Sequence, residues 1–287
     1  MLASVSVSRS YLEIHPMSSI DRLLEVMRSL RDPDTGCSWD IAQTYNTIAP
    51  YTIEEAYEVA DAVERGDTDD IRDELGDLLF QVVFQSRIAE ESGHFAFDDV
   101  CDAIVHKMVV RHPHVFSKEP EATSLSTEEL NQQWELQKDQ ERRKKHRDDV
   151  GQPISALDGV ALNLPALTRA AKIQKRARRV GFDWPELAPV VDKVQEELEE
   201  LLDAHASSNQ SSIEDELGDT LFAVVNLARH VSVDPELALR RATQKFERRF
   251  REVERLATER SITLNQSDLS VLDELWDLAK AQETPPT

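Results

Sequence analysis

Apolar residues along this chain recur at helical spacing almost throughout. From Ser18 to Leu30, the positions Ile20, Leu23, Leu24, Met27 and Leu30 follow a period near 3.6. The pair Asp32-Pro33 stops that run, and Asp34-Thr35-Gly36 is turn chemistry leading into a loop, Cys37-Ser38-Trp39-Asp40. Further helices are predicted over about 50–65, 68–92 and 97–111, ended by Gly66-Asp67, Gly93 and His112-Pro113-His114. The second half carries predicted helices over about 164–179, 188–205, 213–230, 235–260 and 267–281. No sustained period-2 run and no Asn-Gly turn occurs, so the fold class expected is all-α.

Between these halves the pattern changes. Residues 117–128 are a Ser/Thr/Glu/Pro loop, and 128–147 are helical by propensity but end in the charged run LQKDQERRKKHRDD, read as a solvated linker. Gly151-Gln152-Pro153 marks a boundary, which gives a module over 17–150 and another over 151–287. Residues 1–16 lack a secretory pattern and read as a disordered extension, with Met17 as the natural beginning. The halves are copies of one unit. Glu55 and Glu197, Glu58 and Glu200, Glu74 and Glu216, Asp77 and Asp219, and Trp134 and Trp276 all lie 142 positions apart.

Composition narrows the function. With 33 basic against 55 acidic residues, the formal charge is −22, a poor surface for nucleic acid. No apolar run approaches the ~18 residues of a membrane span. The two cysteines, Cys37 and Cys101, have no metal-like or disulfide-like spacing, which fits reduced thiols in a cytoplasmic protein.

The repeated acids are the candidate chemistry. Glu216/Asp219 and Glu74/Asp77 each sit three residues apart, on one side of a helix. Antiparallel pairing with the helix carrying Glu197 and Glu200, or Glu55 and Glu58, would bring four carboxylates to one spot. Such a cluster repels itself without a cation. Oxygen-only ligands select a hard ion, Mg²⁺ first and Mn²⁺ second. A di-iron site needs two Glu-x-x-His pairs, and only Glu91 with His94 fits, against a helix-ending glycine. His112 and His114 read as loop structure. The stripe Leu75, Leu78, Leu79 and Val82 beside the acids is expected to face the core, and Gly76 and Gly218 to admit a close partner helix or ligand. Magnesium held this way completes its shell with water and substrate phosphates, so basic groups belong nearby. The second half offers Lys193, one turn before Glu197, and the segment Lys245-Phe246-Glu247-Arg248-Arg249. The first half has Lys107 and Arg111, but Tyr51 stands where Lys193 would be.

The segments IAPYTIEEAYEV, DELGDLLFQVVF, RDPDTGCSWD, RHPHVF, KIQKRARRVGFDW and KFERRFREVER closely resemble MazG-type nucleoside triphosphate pyrophosphohydrolases over both halves. The resemblance implies a dimer of all-α modules that hydrolyses NTP to NMP and pyrophosphate with Mg²⁺. It implies metal ligation by Glu197, Glu200, Glu216 and Asp219, and in the first copy by Glu55, Glu58, Glu74 and Asp77. Nucleotide contacts are implied for Lys193, Glu196, Lys245, Arg248, Arg249 and Trp276, with Phe246 among them. In the expected chemistry a water attacks the α-phosphorus in line, Lys193, Lys245, Arg248 and Arg249 stabilise the leaving phosphates, and Glu196 orients or deprotonates the water. Glu196 is equally well read as a surface acid, and Trp276 as a packing residue rather than a base platform. Two other functions suit the same acids: a more specific, dUTPase-like phosphohydrolase, or a non-catalytic nucleotide-sensing dimer scaffold. The N-terminal copy is read as a degenerate module that supports assembly.

Overall fold

In the computed structural model, residues 18–116, 126, 137 and 155–283 are described. The expectations for the N-terminal extension, the linker, the boundary at 150/151 and Trp134 fall outside them. Among the described residues every regular element is helical. The first unit, within Met1–Gln137, holds α1 (Ser19–Leu30), α2 (Ser38–Ala42), α3 (Tyr45–Arg65), α4 (Thr68–Glu91), α5 (Phe97–Arg111) and α6 (Pro113–Phe116). The second, within Lys138–Thr287, holds α7 (Ala166–Arg179), α8 (Ala188–Ser207), α9 (Gln210–His230), α10 (Pro235–Glu259) and α11 (Leu269–Gln282). Each unit is built on a two-helix hairpin, α3 with α4 and α8 with α9. α1 and α5 pack on the first hairpin, while α7 packs on α9 and α10 of the second.

The hairpin corners repeat the 142-residue register down to backbone angles. Gly66 takes φ 73° at the end of α3, and Ser208 takes φ 56° at the end of α8. The next residue caps the following helix in both cases: Asp67 accepts from the Asp69 and Asp70 amides, and Asn209 from the Ser212 amide. α3 begins a turn earlier than Pro50, because the Thr44 side chain accepts from the Thr47 amide and caps it there. Pro50 therefore lies inside the helix, beyond the first turn where a proline is free of cost. The Trp39 loop contains the short helix α2. It is tied down by buried Arg31, which forks onto Glu91 and donates to the Asp40 carbonyl at 2.5 Å and the Gln43 carbonyl at 3.3 Å.

Of the stripe expected to face the core, Leu78 and Val82 are half-buried but Leu75 and Leu79 turn outward. Leu75 is 50% and Leu79 41% exposed, while Gln81, Phe84 and Ile88 are buried. Nine residues separate Leu75 from Phe84, which is half a turn out of phase at 100° per residue, whereas Asp77 and Phe84 fall in phase. Glu74 is half-buried and Asp77 exposed, so the acids stand at the edge of the buried face. A Cβ at Gly76 or Gly218 would meet nothing within 4 Å, so the space beside both glycines is open within the chain. The N-terminal core is Met27, Ile48, Val83, Phe84 and Ile88. The C-terminal unit has a core cluster between α10 and α11, in Val253, Leu256, Ala257, Leu275 and Ala279.

Candidate metal and nucleotide site

Three carboxylates converge in each unit. Glu197 and Glu200 on α8 and Glu216 on α9 offer oxygens within 4.8 Å of one another, as do Glu55 and Glu58 on α3 and Glu74 on α4. The fourth acid of each set, Asp219 or Asp77, lies one turn beyond its partner and outside this close trio. Asp219 lines the adjoining cavity with Glu197 and Lys193, and the charge of Asp77 reaches Glu55 and Glu74.

The protonation balance reflects the crowding. Burial, a hydrogen bond from Glu58 and the charges of Asp77 and Glu58 push Glu55 above its usual carboxylate value, against an opposing hydrogen bond from Gln81. Glu74 is raised by burial and by the charges of Glu58, Asp77 and Asp70. In the second unit Glu200 is raised by burial and by Glu197, with Lys193 opposing. Acids held this way have excess negative charge and donor oxygens to spare, the donor set of a hard divalent cation.

The units differ at the position 142 apart from Lys193. Lys193 Nζ lies 2.8 Å from both Glu196 and Glu197, whose carboxylates hold it well above the usual ammonium range. Tyr51 packs edge-on to Trp39 instead, with ring centroids 6.0 Å apart. Glu196 thus pairs with Lys193 at the mouth of the site, 57% exposed.

The second unit also contains a cavity of about 680 Å³ lined by Lys193, Glu197 and Asp219 and by the aromatic residues Phe182, Trp184 and Phe222. Its wall is braced by Arg229, which forks onto the Asp183 carboxylate and bonds the Asn226 side-chain oxygen. Burial pushes the Asp183 carboxyl up, but its bonds to Arg229 and the charges of Arg229, His230 and Arg178 outweigh this and hold it down. The Asp183-Trp184 loop forms part of this wall.

Lys245, Phe246, Arg248, Arg249 and Trp276 do not line the cavity. They gather on α10 and α11, where Arg249 forks onto Glu283 at 2.7 and 2.8 Å and stands 5.8 Å over the Trp276 ring. Phe246 packs on Trp276 at 5.2 Å, and Lys245 and Arg248 are exposed. In the first unit Lys107 and Arg111 lie on α5, where Lys107 is exposed.

Paired helical hairpins with a convergent carboxylate trio define a class of all-α, oxygen-ligand site suited to phosphate chemistry. A family model described as the MazG nucleotide pyrophosphohydrolase domain matches residues 43–116 and 188–254. Both acid sets fall inside these stretches, whereas α7 and the Asp183-Trp184 loop fall outside. The chain is 51% identical to the nucleoside triphosphate pyrophosphohydrolase of Escherichia coli (strain K12), over 93% of this chain and 99% of the relative. It is 41% identical to the nucleoside triphosphate pyrophosphohydrolase/pyrophosphatase MazG of Thermotoga maritima, over 91% and 95% respectively. The chain belongs to the MazG family of nucleoside triphosphate pyrophosphohydrolases, and both halves carry the family's domain.

Proposed function

We propose that the family's reaction, hydrolysis of a nucleoside triphosphate to NMP and pyrophosphate, takes place at the C-terminal carboxylates, with Mg²⁺ as the resident ion and Mn²⁺ as a substitute. The observation that carries this reading is that Lys193, Glu197 and Asp219 border both the carboxylate trio and a nucleotide-sized cavity. Glu197, Glu200, Glu216 and Asp219 would hold the metal, which would supply neutralisation of phosphate oxygens and acidification of water. Glu196 accepts the proton of the attacking water at its carboxylate oxygen, with the in-line attack directed at the α-phosphorus. Lys193 positions Glu196 and meets charge on the departing pyrophosphate. The N-terminal acids Glu55, Glu58, Glu74 and Asp77 hold a cation without such a lysine, so that unit serves assembly more than turnover.

A homodimer accounts for two further features. Leu198, Leu202, Leu217 and Leu221 stand 45–66% exposed along the outer faces of α8 and α9. Lys245, Phe246, Arg248, Arg249 and Trp276 form a basic and aromatic group apart from their own chain's cavity, and a second copy is the route by which they reach the triphosphate. No described helix is long and apolar enough to cross a membrane, and Cys37 and Cys101 are free thiols. Together with the acidic charge, these support a cytoplasmic enzyme that binds neither membrane nor nucleic acid. Product analysis of an NTP panel with and without Mg²⁺, for wild type, Glu216→Gln and Glu74→Gln, tests this reading. NMP and pyrophosphate lost only in Glu216→Gln support it; equal loss in the two variants removes the division of labour. Mg²⁺-dependent nucleotide binding without any product would favour the scaffold alternative.

A further inference from the structure

The N-terminal carboxylates have a buried polar neighbour that packing does not explain. Gln81 of α4 is 8% exposed, and its Nε2 donates to Glu55 Oε1 at 3.4 Å. Its Oε1 is buried with no hydrogen-bond partner. A carboxylate oxygen accepts, so the nitrogen end of the amide faces Glu55 and the orphan is an acceptor. Both ends of a planar amide share one carbon, so the orphan stands beside the same acidic group. Glu74, Asp77 and Gln81 follow one another at i, i+3 and i+7, along one face of α4. A buried acceptor left unmatched is costly, and one set beside carboxylates repels them as well. A cation among these oxygens relieves both.

The 142-residue register shows what is particular to this unit. Gln81 corresponds to Ala223, and Tyr51 to Lys193. In the second unit the Lys193 ammonium lies 2.8 Å from Glu197, so a fixed positive charge already offsets that trio, and the Ala223 side chain offers no oxygen. In the first unit Tyr51 packs on Trp39 and brings no charge, while Gln81 adds a neutral oxygen to those of Glu55, Glu58 and Glu74. The basic charge that reaches Glu74 is that of Arg65, which is paired with Asp61 and Asp70 at 2.8 and 2.7 Å. The N-terminal trio therefore keeps the larger unbalanced negative charge and the larger set of oxygens.

Resting on the reading that the N-terminal acids hold a cation, we propose that these acids and Gln81 Oε1 together form a divalent-cation site that fills without nucleotide and is then the tighter of the chain's two. The amide oxygen supplies from the protein a ligand position that the C-terminal carboxylates leave to water and substrate phosphate. At the C-terminal trio an entering ion competes with Lys193 for Glu197; at the N-terminal trio no ammonium has to give way. The ligands come from both α3 and α4, so the bound ion ties the two helices of the hairpin together and stabilises the folded unit. The N-terminal ion thus serves the fold, and the C-terminal ion serves the substrate.

Titration of the full chain with Mn²⁺ in the absence of nucleotide, followed by loss of the free-ion EPR signal, tests this. Wild type and Glu216→Gln are expected to take up one tight Mn²⁺ per chain, and Glu74→Gln to lose it. Gln81→Met, close in volume, weakens that uptake by at least about tenfold, whereas Gln81→Glu, which keeps an oxygen in place, binds at least as tightly as wild type. Wild type without a tight Mn²⁺ overturns the proposal, as does tight uptake that Glu216→Gln abolishes and Glu74→Gln retains. Equal weakening in the two Gln81 variants assigns Gln81 to packing and overturns its part as a ligand, as does an unchanged affinity in Gln81→Met. Undiminished NTP turnover by Glu216→Gln defeats the C-terminal assignment instead, a result separate from any of these.

Discussion

Replacing Glu216 by Gln should stabilise the metal-free protein while disabling it. Glu216 and Glu197 offer oxygens within 4.8 Å. At an effective dielectric of about 20, two like charges at that distance repel by about 3.5 kcal/mol. Solvent and salt at this partly open site, and the Lys193 ammonium beside Glu197, reduce that to about 1–2 kcal/mol. Removing the Glu216 charge therefore raises the melting temperature of the metal-free C-terminal unit by about 2–6 °C. The same change removes a ligand, so the rise in melting temperature that Mg²⁺ produces in wild type shrinks, and pyrophosphate release falls by at least about a hundredfold. Calorimetry in EDTA and in Mg²⁺, alongside a pyrophosphate-release assay, reads all three. A metal-free melting temperature that drops, with the Mg²⁺ increment unchanged, would refute the crowding argument.

Other outcomes follow from single contacts. Glu200→Gln removes an acid whose folded value is raised, so the wild type is penalised relative to this variant only as pH climbs. The two metal-free proteins should be equally stable below the ordinary value of 4.5, and wild type should lose ground above it; a gap that narrows with rising pH contradicts this. Asp183→Asn leaves half-buried Arg229 without its counter-charge and should cost about 2 kcal/mol, read as a lower denaturation midpoint, with no change pointing to solvent rescue. Gly36→Ala would set a Cβ 2.5 Å from the Leu30 carbonyl and 2.6 Å from that of Asp32, so the turn must shift, costing about 2 kcal/mol or more in the N-terminal transition. If the α10 basic group acts on a second copy, mixing Glu216→Gln with Arg249→Ala chains should restore about a quarter of wild-type rate, the statistical yield of intact sites in mixed dimers. Absence of any restoration would place Arg249 in its own chain's site.

Most helix boundaries were legible from sequence because turns announce themselves locally. Gly66-Asp67 closes one helix and caps the next with two adjacent residues, and α5 spans Phe97–Arg111 as its pattern predicts. Pro50 misled because a proline's cost is local while the Thr44 cap that offsets it lies a turn upstream. The leucines beside the acids misled for a different reason. Apolar residues on both sides of α4 leave the phase ambiguous, and only tertiary packing shows that Phe84, not Leu75, faces inward. The acid trios could be read from spacing and duplication. The cavity could not: Gln174 and Asn226 are unremarkable amides until α7 and α9 come together.

The central claim is that water reaches the α-phosphorus at the C-terminal carboxylates. It is tested most directly by hydrolysing an NTP in ¹⁸O-water with Mg²⁺ and weighing the products. The label is expected in the NMP, with none in pyrophosphate and none incorporated by Glu216→Gln. Label in pyrophosphate, or NDP and phosphate as products, would contradict it.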